Sequence, residues 1–476
     1  GRVALLPFGN PNAKVPAVNG GAFRMSTIEL RAAASLSAIY LLRMFGLFLI
    51  VPVFSLYATR LAGATPLLTG LALGAYGLTQ ALFQIPFGSL SDRLGRKPVI
   101  AAGLVLFAIG SATAALSDHI LGVILGRGLQ GTGAISAAVM ALAADLTREE
   151  QRTKVMAFIG ITIGLAFASA FVMGPVLDAR VGLQGLFWIS AALALAALAV
   201  LFLAVPEPER STFHRECEPQ LSHLRATLAH PELLRLDAGI MLLHMSLMAS
   251  FVALPIALHD HANLESADHW QVYLPALLIS FLVMAPFLPL ADRGAKGKAI
   301  FLGAITFLGC AELGLFFVHN AYAPLLLLVA LFFSGFNFLE AHLPALVSRV
   351  APADRRGTAL GIYAMSQFLG IFIGGALGGW LLGKLGITGV FAFCTMITAL
   401  WFLIASRTSL PRHLSNHMVK VGQLSSTEAG TLAAKLGGLA GVAEAVVVGE
   451  DGIAYLKIDR DRLDWDALRA LLPARE

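Results

Sequence analysis

Gly88-Ser-Leu-Ser-Asp92-Arg93-Leu-Gly95-Arg96-Lys97-Pro98 lies between two apolar stretches, 67–89 and 98–117. Each stretch is long enough to cross a bilayer, which takes ~20 residues for ~30 Å. A short segment with one acid, three bases and two glycines is unusual between such stretches. Gly88 and Gly95 suit a tight turn and close backbone approach. Arg93, Arg96 and Lys97 hold the turn on the cytoplasmic side. Asp92, at the end of an apolar helix, needs a partner for its charge.

Outward from this turn the chain repeats the same alternation. It is 57% hydrophobic and 13% charged, with a mean hydropathy of +0.77, whereas soluble domains carry ~25% charged residues. Apolar spans fall near 33–59, 67–89, 98–117, 119–144, 155–178 and 184–205, then near 236–259, 271–291, 299–318, 322–347, 358–383 and 387–406. The fold class is therefore an all-α membrane protein of twelve transmembrane helices. Loops after even-numbered spans carry most of the bases, including Arg148, Arg152, Arg210, Arg293 and Arg356. Those after odd-numbered spans carry only Arg60, Arg180 and Lys384. This asymmetry places both ends of the helical region in the cytoplasm.

The spans divide into two six-helix halves, 31–205 and 236–406, joined by a polar linker, 206–235. Asp92-Arg93 recurs as Asp292-Arg293 after the second span of the other half. Arg152-Thr-Lys-Val-Met-Ala-Phe-Ile-Gly160 parallels Arg356-Gly-Thr-Ala-Leu-Gly361 at the entry to the fifth. Two such halves are the layout of a transporter that rocks about a midplane site. Residues 1–30 read as a disordered or non-native extension, with Met25 as a possible true start and no cleavable signal. A polar linker, 407–417, leads to a soluble domain, 418–476. There a strand about Val419, a helix 425–439 opening on the capping box Ser425-Ser-Thr-Glu428, a hairpin of 443–448 with 453–459 and a helix 464–472 give the order βαββα. Ala454, Leu456 and Ile458 form a face suited to packing on the domain's own helices, leaving Tyr455 and Lys457 for a partner or a second copy.

The chain shows no H-E-x-x-H, C-x-x-C, G-x-S-x-G or P-loop, so it reads as no enzyme. No cofactor is called for beyond a proton gradient as energy source. The net charge of +5 follows from topology, so nucleic acid is not needed as a partner. The partners expected are a small-molecule substrate, protons and the lipid bilayer, with self-association through the soluble domain as a further possibility.

The pattern G-x-L-x-D-R-x-G-R-[KR] at 88–97 resembles the loop 2–3 signature of the major facilitator superfamily. With Leu42-Arg43-Met44-Phe45-Gly46, Gln84-Ile85-Pro86-Phe87-Gly88, Ala144-Asp145-Leu146-Thr147-Arg148-Glu149 and Phe251-Val252-Ala253-Leu254-Pro255, and with a βαββα appendage resembling a ferredoxin-like module, the chain is similar to YajR-type bacterial transporters. The resemblance implies the facilitator fold, the bacterial inner membrane and a grouping with proton-driven drug exporters. The exporters' fifth-helix signature is kept at Gly174-Pro175, but Ala170 stands for a glycine and Leu177-Asp178 for a glycine pair. Antiport and symport both stay open at that point.

By the family's arrangement, the first, fourth, seventh and tenth spans line the cavity, and they carry Arg43, Arg127, His244 and Glu340. At 1.5 Å per residue, Arg43, His244 and Glu340 lie ~10–15 Å in from the cytoplasmic boundary and are expected to form one cluster. Asn337 lies one turn before Glu340, whereas His342 points away as a packing residue. Arg127 and Gln130 match the family's R-x-x-Q-G element, associated with proton coupling; a structural bond from Arg127 to backbone carbonyls is the competing reading. Glu312, on the peripheral ninth span, is left out. For the turn, the expectation is a conformational latch: a chain Asp145–Arg96–Asp92, with Asp92 facing the N-terminus of the eleventh span near Gly357 and Thr358. The function expected is proton-coupled efflux of a small amphiphilic compound. The alternatives are a proton-coupled nutrient symporter of the same fold and a membrane sensor reporting through its C-terminal domain.

Overall fold

The computed structural model describes residues 25–207, 221–291, 296–319, 321–352, 355–408, 414–449, 451–459 and 463–471. The N-terminal segment 1–24, the second Asp-Arg pair at Asp292-Arg293 and linker residues 208–220 and 409–413 lie outside these residues.

Among the described residues the helices make twelve apolar passes. The first is Thr27–Phe48, capped by a Ser26–Glu29 capping box, and it continues after a break as Phe54–Ala58. The second and third are Pro66–Leu94 and Arg96–Ala115; the fourth is split into Ile120–Thr132 and Ser136–Asp145. Next comes one unbroken helical assignment, Glu149–Leu203, of 55 residues. At 1.5 Å per residue that is ~80 Å, far more than a ~30 Å hydrocarbon layer. The excess is resolved at Gly182, whose φ of 67° and ψ of 176° interrupt the helix and separate the fifth and sixth spans. The seventh span is Pro231–Ile256 with a π-turn, Ala257–His261. The eighth opens on a short 3-10 turn, Ser266–Asp268, and runs through Trp270–Met284 and Phe287–Ala291. The ninth and tenth are Lys296–Phe317 and Tyr322–Val350. Arg356–Ser406 is again two spans, the eleventh and twelfth, divided at Gly386 (φ 69°, ψ −169°).

The two divisions are spelled alike, Arg180-Val-Gly182-Leu-Gln-Gly185-Leu-Phe187 and Lys384-Leu-Gly386-Ile-Thr-Gly389-Val-Phe391. In each, only glycine tolerates the positive φ. In each, a Cβ on the second glycine would lie under 2.5 Å from the Cβ of Val181 or Leu385. Phe187 and Phe391 are both fully buried. The internal repeat thus extends through the least regular part of each half.

Two differences from the sequence reading concern boundaries. The segment 88–98 is not a loop but almost wholly helical: the second span runs to Leu94, the third begins at Arg96, and only Gly95 (φ 94°) leaves the helical region. The reason is local, since Asp92 and Arg96 pair one helical turn apart. A helix, Leu221–Leu228, and the start of the seventh span at Pro231 occupy part of the expected linker.

The side carrying residues 88–98 is called the basic face below, and the side of Gly182 and Gly386 the far face. From mid-membrane to the far face the two halves are in tight contact. The second span meets the eleventh with glycine against glycine: a Cβ at Gly375 would lie 2.5 Å from the Gly70 carbonyl oxygen, and one at Gly379 would lie 2.3 Å from that of Pro66. Phe167 and Phe171 of the fifth span meet Phe333, Phe336, Phe251 and Tyr273 of the other half. The Ser55 hydroxyl donates to the Phe251 carbonyl at 3.1 Å. These contacts lie on this side of the midplane or at it, and the partly exposed Glu340 side chain, deep in the tenth span, marks a gap that opens toward the basic face.

The C-terminal domain has strands β1 (Leu414–Lys420), β2 (Val442–Val448) and β3 (Ile453–Asp459), all antiparallel in the order β1-β3-β2. Helices Ser426–Gly437 and Trp465–Ala470 complete a small α+β unit. The capping box at Ser425 and Glu428 is formed, and those hydrogen bonds hold the Glu428 carboxyl below the usual carboxylate range. Ala454, Leu456 and Ile458 are buried as expected. The opposite face is not left free: Lys457 pairs with Glu444 at 3.2 Å and donates to the Val350 carbonyl, at the end of the tenth span, at 3.3 Å. Lys457 of that face thus reaches the membrane part of the same chain.

The glycine contact carries a direct expectation. Gly375→Ala forces a methyl group into the Gly70 carbonyl, a strain of about 1–3 kcal/mol, and the two spans must part. Cysteines placed on the far face should become reactive toward a membrane-impermeant maleimide; unchanged protection in a folded Gly375→Ala protein would show that this contact does not hold the halves together.

Candidate functional site

The residues expected to form one polar cluster form two, one in each half. In the N-terminal half Arg43 is fully buried. One guanidinium nitrogen, Nη2, donates to the Gly133 carbonyl at 2.7 Å, to Gln80 Oε1 at 3.2 Å and to the Tyr76 hydroxyl at 3.4 Å. The Phe107 ring lies 5.5 Å beneath its charge. Gln80 continues to Gln84 at 3.0 Å. The break in the fourth span after Thr132 makes this possible, because it turns the Gly133 carbonyl out of the helical ladder and toward Arg43. Nε and Nη1 of Arg43 have no hydrogen-bond partner among the described residues.

In the C-terminal half His244 and Glu340 are brought together, with Nε2 3.6 Å from Oε2. Between them stands Gln367 of the eleventh span, whose amide donates to Glu340 Oε1 at 3.0 Å and to His244 Nε2 at 2.9 Å. His244 Nδ1 lies 3.3 Å from the Ile240 carbonyl. The tautomer consistent with both contacts has the proton on Nδ1 and a lone pair on Nε2, ready to accept. The Glu340 side chain is 38% exposed, although it lies ten residues from the end of its span, ~15 Å deep. It therefore faces the gap between the halves. Arg43 is hydrogen-bonded wholly within its own half and makes no described bond to this group. Depth along a helix had suggested a single cluster, but lateral position separates them. Asn337 likewise turns elsewhere, donating to Ser280 of the eighth span at 2.8 Å. His342 is buried and packs against Phe338 and Phe301, as a packing residue.

Arg127 is spread over the second span, with Nε and Nη2 each 3.3 Å from the carbonyls of Ala72 and Leu73. Its Nη1 donates to Gln130 Oε1 at 2.8 Å, and Gln130 donates to Ser111 of the third span at 2.7 Å. This is a staple across three helices, which matches the structural reading of the motif. Gly174 has Leu49 and Pro52 of the first span against it: a Cβ would lie 2.5 Å from the Leu49 carbonyl oxygen. With Pro175 it fits the fifth span against the break in the first.

The turn residues assemble as a chain within the N-terminal half. Arg96 pairs with Asp92 and, at 3.3 Å, with Asp145 at the end of the fourth span; it also donates to Ser91 at 2.9 Å. Lys97 pairs with Glu207 at 2.6 Å and donates to the Val205 carbonyl at 2.8 Å, fastening the end of the sixth span. Arg93 is exposed, and Gly88 approaches Ala137 of the fourth span. Gly357 and Thr358 sit in the first turn of the eleventh span, as expected. Among the described residues no hydrogen bond joins them to Asp92, so the expected contact with the eleventh span is not formed in this structure.

Three features were missed. Gln367 is neutral and so did not stand out. Glu312 is fully buried and accepts from Ser246 at 2.9 Å and Ser250 at 2.7 Å; the two serines, four residues apart on one face of the seventh span, were the available signal. Asp178 was noted only as a departure from a glycine pair, yet it is buried between the halves.

A family model described as Major Facilitator Superfamily matches residues 36–339 and 237–417. The chain is 45% identical over 438 residues to the inner membrane transport protein YajR of Escherichia coli strain K12, covering 92% of this chain and 96% of that protein. It is 27% identical over 346 residues to the multidrug resistance protein MdtH of Aeromonas hydrophila, covering 72% of this chain and 85% of that one. Among solved structures, a D-xylose–proton symporter superposes with a TM-score of 0.66 over 81% of this chain and 99% of the symporter, at 16% identity.

Arg127→Lys tests the staple. A single ammonium cannot span both carbonyls and Gln130, and a lost charged hydrogen bond costs ~1.5–3 kcal/mol. The thermal midpoint should fall by several degrees while transport by the surviving protein persists. Unchanged stability with lost proton flux would instead place Arg127 in the coupling machinery.

Proposed function

Because the chain belongs to the major facilitator superfamily and is a multi-pass membrane transporter, we propose that it is a secondary transporter. It exports a small amphiphilic compound against an inward flow of protons by alternating access. The observation that carries this reading is Glu340: a carboxylate deep in a span, open to the gap between the halves, and tied through Gln367 to His244. Ionisable groups are costly at such depth and mark ion pathways. Protonation of Glu340 or of His244 Nε2 alters which of the two Gln367 can serve as donor. The amide then re-pairs, and three spans of the C-terminal half feel the change. Likeness to a protein named for multidrug resistance supports export. The replacement of a glycine pair by Leu177-Asp178 supports the symport alternative, in which the compound and proton enter together.

The basic face is the cytoplasmic one on this reading. Its latch is Asp92, held in place by Arg96 and Asp145 and free to meet the N-terminus of the eleventh span at Gly357 and Thr358 when that face shuts. A helix N-terminus carries about half a positive charge, so the contact favours the ionised acid. The soluble domain, attached to the end of the tenth span through Lys457, is a regulatory module outside the translocation path.

Energised vesicles separate the readings by the direction of movement of fluorescent amphiphilic dyes. Glu340→Gln should retain dye binding but lose its pH dependence and the accompanying proton flux; full proton-driven transport in both Glu340→Gln and His244→Gln would place coupling elsewhere. Asp92→Asn should insert normally yet lose coupled transport, and normal transport by that variant would refute the latch.

A further inference from the structure

On the far face the contact between the halves contains a carboxyl group with no evident use. Asp178 lies near the end of the fifth span, one turn before the Gly182 division, and is 3% exposed. Neither of its oxygens has a well-formed hydrogen bond among the described residues. The fifth span packs here against the 3-10 turn Ser266–Asp268 that opens the eighth span, so Asp178 belongs to one half and its cover to the other. Ser266 is also buried, and its hydroxyl too lacks a partner. Tyr57, from the extension of the first span, stands beside both Asp178 and Ser266.

The other ionisable groups on these elements are occupied or solvated. Arg60 is exposed, with its guanidinium 4.6 Å over the Tyr57 ring, and forms no described ion pair with Asp178. Asp268 accepts from Gln271 at 2.9 Å. His269 lies 3.3 Å from the Leu264 carbonyl. Arg180, on the same helix as Asp178, is exposed. The site therefore holds a carboxyl group and two hydroxyls in a dry contact with no cation closed over them.

We propose that Asp178 is a proton-binding site that closes the far face. An ionised Asp178 at this contact has lost its water and gained only the Tyr57 hydroxyl beside it and an exposed Arg60 at longer range, poor compensation for a buried charge. With a proton it becomes a neutral hydrogen-bond donor to Tyr57 or Ser266, and the halves meet around it. When they part, the group meets water again and gives up the proton. Acid on the far side thus favours the conformation described here, shut at the far face and open at the basic face, and alkali favours the reverse. The proposal rests on the alternating-access reading above but is independent of where the coupled proton sits in the C-terminal half. It also gives a use to the Leu177-Asp178 departure in the fifth span.

The test uses the full chain in proteoliposomes, with its own cysteines replaced by serine and spin labels at Thr59→Cys and Glu265→Cys, exposed positions on opposite halves of the far face. The distance between labels is measured by pulsed electron resonance in acid and in alkaline buffer. A short distance in acid and a growing longer population in alkali are expected. Asp178→Asn should keep the short distance in alkali as well as in acid, with a longer population at least tenfold smaller than that of the unsubstituted Asp178 protein in the same alkaline buffer. A distance that does not change with pH in the unsubstituted Asp178 protein overturns the proposal, whatever any variant does. A response that survives Asp178→Asn but is lost in Glu340→Gln also overturns it and leaves the export reading standing. That reading fails separately, on absence of proton-driven dye flux in the vesicle assay.

Discussion

The second and eleventh spans touch backbone to backbone, and the rest of the molecule is arranged around that contact. In a bilayer, apolar side chains gain nothing by leaving lipid for one another, so helices associate through close packing and polar contacts. Gly70, Gly74 and Gly77 on one span and Gly375 and Gly379 on the other remove every Cβ that would hold the halves apart. The aromatic residues about Phe167 and Phe171 fill the remaining width at the midplane. With the halves pinned on one side, a gap is left only on the other, and that is where Glu340 meets solvent.

The polar residues of the interior follow the division into halves. Arg43 is balanced by neutral oxygens of Gly133, Gln80 and Tyr76, all within its own half. Glu340 is balanced by Gln367 and, at longer range, by His244, again within one half. Neither cluster needs the other for its hydrogen bonds, so the halves can separate or approach without breaking a buried ion pair, the costliest kind of interaction to disrupt.

Much of this was legible in the sequence, for reasons that differ by feature. Hydropathy displays the spans because lipid tolerates nothing else over ~20 residues. Asp92, Arg96 and Asp145 were legible because each ends a span on one side, and a helical turn separates the first two. The capping box and alternating strand of the soluble domain are short-range patterns that need no tertiary context. Lateral position was not legible: Arg43 shares its depth with Glu340 but not its neighbours, and depth was all that spacing supplied. Gln367 escaped notice because an amide is cheap to bury, so it carries no mark of cost. The paired glycine turns at Gly182 and Gly386 were spelled out twice and would have been found by aligning the halves there, beyond the charged ends where the repeat was first sought.

The near absence of a loop between the second and third spans has a mechanical meaning. Pro66–Leu94 is a single helix, held at Gly70 by the eleventh span and bearing Asp92 at its other end. The distance between those points is ~33 Å. A tilt of about ten degrees about Gly70 would carry Asp92 through ~6 Å, twice the length of a hydrogen bond. Pro86, inside the same helix, removes one rung of its hydrogen-bond ladder. Mounted so far from that contact, Asp92 moves by more than a hydrogen-bond length for a few degrees of rotation about Gly70.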